Sequence, residues 1–284
     1  MSERPPPRRG GFPLRLDQLT PNAPGASGRT PPAPGAARQV LRPQAPLHHA
    51  AHAATRPSTP SGHGLDSADV RRRMVERLRQ GGLRDDAVCA ALMAVPRHLF
   101  VDSALVTQAY EDTSLPIGHG QTISKPSVVA RMVELLMAGP SARARGHLGA
   151  VLEIGTGCGY QAAVLAHLAR RVVSVERLKP LHDKARGHLD GLPAWRPRLR
   201  LVHGDGMLGH APNAPYDAII AAAGGESLPA AWLEQLALGG RLVAPVQDAA
   251  GQQSLVVVDR TERGCERSVH EGVHFVPLKS GFVR

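Results

Sequence analysis

Val151-Leu152-Glu153-Ile154-Gly155-Thr156-Gly157-Cys158-Gly159-Tyr160 is the stretch on which the fold turns. Its first four residues, apolar apart from Glu153, read as a strand buried on both faces, the habit of a parallel sheet. Three glycines at alternate positions then permit a tight turn and let a ligand approach the backbone. A helix expected over 161–169 follows at once, and its first turn offers N–H groups without intrahelical partners.

Outward from this unit, strands and helices alternate. Strands are expected at 171–176, 198–203, 217–223 and 240–246, and helices at 180–189 and 229–238; 255–259 and 273–278 close the chain as two further strands. The pattern predicts an α/β fold: a doubly wound, mostly parallel sheet with helices on both faces and an antiparallel edge at its end. On the N-terminal side, 64–147 reads as a helical and loop region. One helix runs through 70–78, capped by Asp66 or Ser67 and stopped at Gly81-Gly82; a second covers 87–94; 96–126 is loop-rich; a third helix covers 128–137, and a turn-rich link joins it to the first strand.

The 284 residues carry a net charge of +10, which by itself points to a polyanionic partner. The charge is unevenly placed. Residues 1–63 hold eight arginines against two acids, thirteen of the 25 prolines, and only eight residues of the types V, I, L, M and F. That segment has too little apolar surface to offset the entropy of ordering and reads as a disordered basic Pro/Ala/Arg-rich tail. The remaining 221 residues carry +4, an ordinary value for an enzyme domain. Arg8-Arg9 lacks the apolar run of an export signal, no stretch reaches 18 consecutive apolar residues, and a cytoplasmic protein without membrane contact is expected. Cys89, Cys158 and Cys265 form no paired spacing, and His48, His49 and His52 lack acidic companions, so neither a disulfide framework nor a metal site is expected.

In an open α/β sheet, ligands gather outside the carboxyl ends of the strands. There Gly155, Thr156, Gly157 and Gly159 form the first turn, with Glu153 two residues ahead of it. The G-x-G-x-G spacing differs from the dinucleotide fingerprint G-x-G-x-x-G. Glu176 ends the second strand, 21 positions after Gly155, where a carboxylate can accept from ribose hydroxyls; this alone would serve NAD equally well. Asp205 and Gly206 end the third, where a carboxylate can accept from an exocyclic adenine amine. The glycine turn and Gly204-Asp205-Gly206 each have a plain turn-forming explanation taken alone. All three at successive strand ends point to a nucleoside crevice. The acid-x-Gly-x-Gly-x-Gly run resembles the motif of S-adenosylmethionine-dependent methyltransferases, a Rossmann-like class in which the acid helps orient the cationic amino-acid end of the cofactor.

The flanking sequence is more specific. Val95-Pro96-Arg97-His98-Leu99-Phe100-Val101, Ala109-Tyr110-Glu111-Asp112, Leu115-Pro116-Ile117-Gly118, Gln121-Thr122-Ile123-Ser124-Lys125-Pro126, Ala214-Pro215-Tyr216-Asp217 and Phe275-Val276-Pro277-Leu278 resemble the protein-L-isoaspartate O-methyltransferases, with coverage from about 65 to 278. The resemblance implies methyl transfer from S-adenosyl-L-methionine to the α-carboxylate of L-isoaspartyl residues in damaged proteins and peptides, as a repair step. It implies an active-site role for Ser124, as a hydroxyl that orients the incoming carboxylate, and cofactor contacts at Thr122 and Ile123. Lys125, Ser127 and Ala223-Gly224-Gly225-Glu226 depart from the usual family pattern and leave side-chain preference in the substrate open. Read without the resemblance, Ser124 is a helix-capping residue, while Asp112 and Tyr110 belong to loop structure and packing.

Two other readings come from the charge. A nucleic-acid methyltransferase would carry Asn/Asp-Pro-Pro-aromatic after the fourth strand or a Pro-Cys nucleophile, and neither is present. An interaction module would use the arginine-rich tail, but its single aromatic, Phe12, gives little for base stacking. The expected partners are therefore isoaspartyl proteins and peptides, with nucleic-acid contact by the tail unsupported and a monomer favoured.

Overall fold

The computed structural model describes residues 68–192 and 196–283. The expected tail, its histidines and the caps Asp66 and Ser67 lie outside the described residues. The first described elements are helices α1 (Ala68–Gln80) and α2 (Asp86–Ala94). Asp85 caps α2 by accepting from the Val88 N–H at 2.9 Å, and the Glu134 carboxylate accepts from the Arg84 and Asp85 N–H groups, fastening that turn to the next helix.

The loop-rich run holds a structure that sequence reading did not anticipate. Strands β1 (Leu115–Gly118) and β2 (Gln121–Ile123) pair antiparallel, Leu115 opposite Ile123 and Pro116 opposite Thr122. Their connection, His119-Gly120, has positive φ at both residues (54° and 67°), the twist that a two-residue hairpin turn demands. Helix α3 (Pro126–Met137) begins with Pro126 in its first turn; Lys125 takes the capping position without a side-chain bond, and the Asp112 carboxylate accepts from the Ser127 N–H at 2.8 Å instead. The turn-rich link contains a short helix, α4 (Pro140–Arg145).

From here the chain alternates as expected: β3 (Ala150–Ile154), α5 (Tyr160–Leu168), β4 (Arg171–Glu176), α6 (Lys179–Asp190), β5 (Leu199–His203), β6 (Tyr216–Ala221), α7 (Ala230–Gln235), β7 (Leu236–Gln247), β8 (Gln253–Thr261) and β9 (Gly264–Val273). The seven strands β3 to β9 form one sheet in the order β5-β4-β3-β6-β7-β8-β9, parallel from β5 to β7 and antiparallel at β7-β8 and β8-β9. Alternate residues of each inner strand enter two separate cores. Val151, Val172, Ala218 and Val243 join a large core with α1 to α6; Leu152, Val173, Ile219 and Leu242 join a smaller one closed by Trp232 of α7. Helices thus cover both faces, but unevenly.

Two elements differ most from the sequence reading. The helix expected over 229–238 stops at Gln235, because Leu236 already pairs with Tyr216 at the start of β7. The last strand is 264–273, not 273–278: its residues Gly-Cys-Glu-Arg-Ser-Val-His-Glu-Gly-Val are mostly exposed, so an edge strand carries no apolar alternation to reveal it. Residues 273–278 are apolar because they fold back over the strand ends, where Gly224 bridges Pro277 and Phe275 is buried.

Candidate active site

The carboxyl ends of β3, β4, β5 and β6 are knitted by main-chain bonds: Gly155 N–H to the Val175 carbonyl (2.9 Å), Ala222 N–H to the Ile154 carbonyl (2.8 Å) and Gly204 N–H to the Glu176 carbonyl (3.0 Å). Outside them lies a cleft. Gly155, Gly157, Glu176 and Gly206 line it on the sheet side. His119, Gln121 and Thr122 of the hairpin line it on another, and 276–279 of the C-terminal segment on a third.

Two glycines are needed where they stand. Gly155 has φ of 88°, which a side chain tolerates poorly, and a Cβ on Gly206 would lie 2.6 Å from Ile154 Cγ2. The floor is therefore bare backbone, shaped for close approach. Glu176 is nearly buried and accepts from the Gly157 N–H (2.9 Å) and the Leu178 N–H (2.9 Å), which aims its carboxylate along the rim. Arg177 and Lys279 add positive charge to the lining and His119 adds an imidazole, and none of them was given a role from the sequence.

The other expected residues stand beside the cleft. Ile123 is buried under the hairpin and Thr156 beneath the turn, while Gly159 precedes α5 with φ of 93°. Glu153 does not line the cleft. Its carboxylate is wholly buried and accepts from Gln161 Nε2 at 3.0 Å and Ser174 Oγ at 2.5 Å, and Ser174 in turn meets Thr156 Oγ1 at 2.5 Å. Burial pushes the Glu153 carboxyl up to about 8, against two hydrogen bonds that favour the charge. A group of this kind braces the glycine turn from beneath. Asp205 accepts from the Met207 N–H (2.9 Å) and from the Gly281 N–H (2.6 Å), so it holds the C-terminal segment.

Ser124 follows β2 directly. It is half-buried, its hydroxyl makes no hydrogen bond among the described residues, and its carbonyl accepts from Arg97 Nη2 at 2.8 Å. Cys158, inside the glycine turn, is pushed up to about 11 by burial and stays a thiol at neutral pH, which leaves no thiolate nucleophile here. Among the described residues no group of three or more His, Cys, Asp or Glu side chains is placed to hold a metal ion.

The profile of the family described as protein-L-isoaspartate(D-aspartate) O-methyltransferase (PCMT) matches residues 69–282. The chain belongs to that family. The protein-L-isoaspartate O-methyltransferase of Methylibium petroleiphilum is 62% identical over 281 residues, covering 98% of each chain. That of Leptothrix cholodnii is 58% identical over 288 residues, covering 99% of this chain and 98% of the relative. Alignments of that extent reach into the N-terminal segment that the family profile leaves out. A solved structure named protein-L-isoaspartate O-methyltransferase superposes with a TM-score of 0.65 at 26% identity, over 74% of this chain and 66% of that one. A Plasmodium falciparum chain solved with S-adenosyl-L-homocysteine shares the fold, with a TM-score of 0.63 at 23% identity over 74% of this chain and 98% of that one.

Proposed function

We propose that this chain methylates the α-carboxylate of L-isoaspartyl residues in damaged proteins and peptides, with S-adenosyl-L-methionine as donor. The observation that carries this reading, within the family, is the cleft in which a bare glycine floor and the Glu176 carboxylate face a hairpin leading directly into Ser124. The residues suit the donor: Gly155, Gly157 and Gly206 leave room for a nucleoside against backbone, and Glu176 offers oxygens to ribose hydroxyls. When bound, the donor supplies an electrophilic methyl on a sulfonium sulfur.

The chain's own task is placement. An α-carboxyl group has a pKa near 3.5 and is ionised at pH 7, so the acceptor needs no general base. Thr122 and Ser124 supply hydroxyls on the hairpin side, and Ser124 Oγ, free of internal bonds, donates to the incoming carboxylate and turns one oxygen toward the methyl. Ile123 seats the hairpin on the core. Glu153, Thr156 and Gly159 act on the turn from beneath or behind. Asp205 acts at the nucleoside end, both through its carboxylate and through the segment it tethers.

Residues 64–284 form the catalytic domain in this reading, with 1–63 a basic tail outside the chemistry. We place the enzyme in the cytoplasm as a monomer; free cysteines at 89, 158 and 265 suit a reducing compartment, and no described helix is long and apolar enough to cross a membrane. The test is transfer of labelled methyl groups to an isoaspartyl peptide beside its aspartyl twin. Labelling of the isoaspartyl peptide alone is expected; equal labelling, or none, would overturn the assignment.

A further inference from the structure

Arg97 begins the short 3-10 turn Arg97–Phe100 and is wholly buried, yet no ion pair joins it among the described residues. Its guanidinium donates through Nε and Nη2 to main-chain carbonyls of two stretches, 109–113 and Ser124, while the buried Nη1 has no hydrogen-bond partner among those residues. Nε donates to Ala109 at 2.8 Å, and Nη2 donates to Ser124 at 2.8 Å and to Thr113 at 3.5 Å. Its flat face lies 4.7 Å from the centre of the Tyr160 ring, and Tyr160 opens α5 directly after the glycine turn. One side chain therefore touches both halves of the site.

We propose that Arg97 is a positioning residue for methyl transfer: it clamps the segment carrying Ser124 onto the helix behind the glycine turn, and thereby fixes the separation of acceptor and donor. The proposal rests on the reaction given above. Fixing the Ser124 carbonyl fixes the peptide plane that contains Ser124 Cα, leaving only the ψ rotation of Ser124 between that plane and its Cβ. A lysine cannot replace this fork. An ammonium is a point charge and cannot serve carbonyls on two segments while spreading its charge over a ring as a planar guanidinium does. Burying a cation without a carboxylate is also a poor way to gain stability, since an apolar side chain of the same volume avoids the desolvation. What the guanidinium supplies is a fixed geometry.

The test compares Arg97→Lys with Val258→Ala, a core truncation in β8 remote from the cleft, using the full chain. Four quantities are read: kcat, KM for an isoaspartyl peptide, the Kd of S-adenosylhomocysteine, and Tm. For Arg97→Lys we expect kcat to fall about tenfold or more, with KM and Kd within about twofold. Val258→Ala should keep kcat despite its lower Tm. Retained kcat in Arg97→Lys, a parallel loss of cofactor affinity, or an equal kcat loss in Val258→Ala would overturn the role. If Arg97→Lys does not fold, Tyr160→Leu keeps every carbonyl bond and removes the ring with its hydroxyl; kcat should then fall severalfold at unchanged KM, and an unchanged kcat overturns the proposal. A wild-type chain that binds S-adenosylhomocysteine but methylates no isoaspartyl peptide would sink the reaction and this role together. An active wild type matched by Arg97→Lys would sink the role alone.

Discussion

The Asp205 carboxylate accepts the Gly281 main-chain N–H at 2.6 Å, joining the end of β5 to the C-terminal segment across a gap of 76 residues. The segment is held further by Val283, whose N–H donates to the Arg177 carbonyl and whose carbonyl accepts from the Lys179 N–H. Asp205→Ala removes the tether and, in the proposed binding mode, an acceptor for the adenine amine. It should weaken S-adenosylhomocysteine binding by about tenfold, the scale of a lost hydrogen bond to a charged group, while kcat at saturating donor changes little. Unchanged affinity by calorimetry would refute this.

Ser124→Ala should do the opposite. The hydroxyl has no internal partner to leave stranded, so the fold loses nothing, and the missing donor is felt only by the acceptor carboxylate. Turnover should drop roughly tenfold with cofactor affinity intact. An equal loss of cofactor binding would contradict the role.

Glu153 makes stability depend on pH. Its carboxyl ionises at 4.5 in an unfolded chain and at about 8 in the folded one, so the folded state holds the extra proton between those values. Stability must then fall as pH rises through that window and level off above it. Glu153→Gln keeps the neighbours satisfied, since an amide can accept from Gln161 and donate to Ser174, and should remove this slope. Relative to wild type, the variant should gain stability between pH 5 and pH 8 in urea unfolding, about those limits. Parallel profiles would disprove the shift.

Gly206→Ala should damage both stability and the cleft. The new methyl would sit 2.6 Å from Ile154 Cγ2, and both residues line the cleft, so Ile154 must move. Overpacking of this kind costs about 1–3 kcal/mol. A melting temperature equal to that of wild type, with full cofactor affinity, would show that Ile154 yields freely.

Deleting residues 1–60 should leave isoaspartyl methylation unchanged, because none of the residues assigned to the site lies there. Loss of activity with the tail would reverse that assignment, and salt-dependent RNA retention by the full chain alone would give the tail a role of its own.

The parallel half of the sheet was legible because β3, β4 and β6 are apolar on both faces and each is followed by a turn signal. The hairpin was not. Its strands are four and three residues long, with Pro116 and Gly118 inside them, and short periods of that kind leave no pattern to read. In the site, Gly155, Gly157, Gly206 and Glu176 could be placed from the strand ends alone. Glu153 reads as a ligand-facing acid, but its side chain turns inward between β3 and β4, a matter of pleat rather than spacing. His119, Arg177 and Lys279 reach the cleft through turns and a distant segment, and nothing local to them announces it.

The hairpin that carries Thr122 is fastened at its base and free at its end. Lys184 Nζ donates to the Ile117 carbonyl at 3.1 Å on one side, Arg97 grips Ser124 on the other, and between them Gly118, His119 and Gly120 are exposed, with His119 lining the cleft. Such a piece works as a short lever with a stiff root, so a bulky polypeptide gains entry by bending three residues, without moving Ser124. Amide exchange should accordingly be fast at 118–120 and slow at Leu115 and Ile123, and uniform exchange along the hairpin would mean that the whole strip swings.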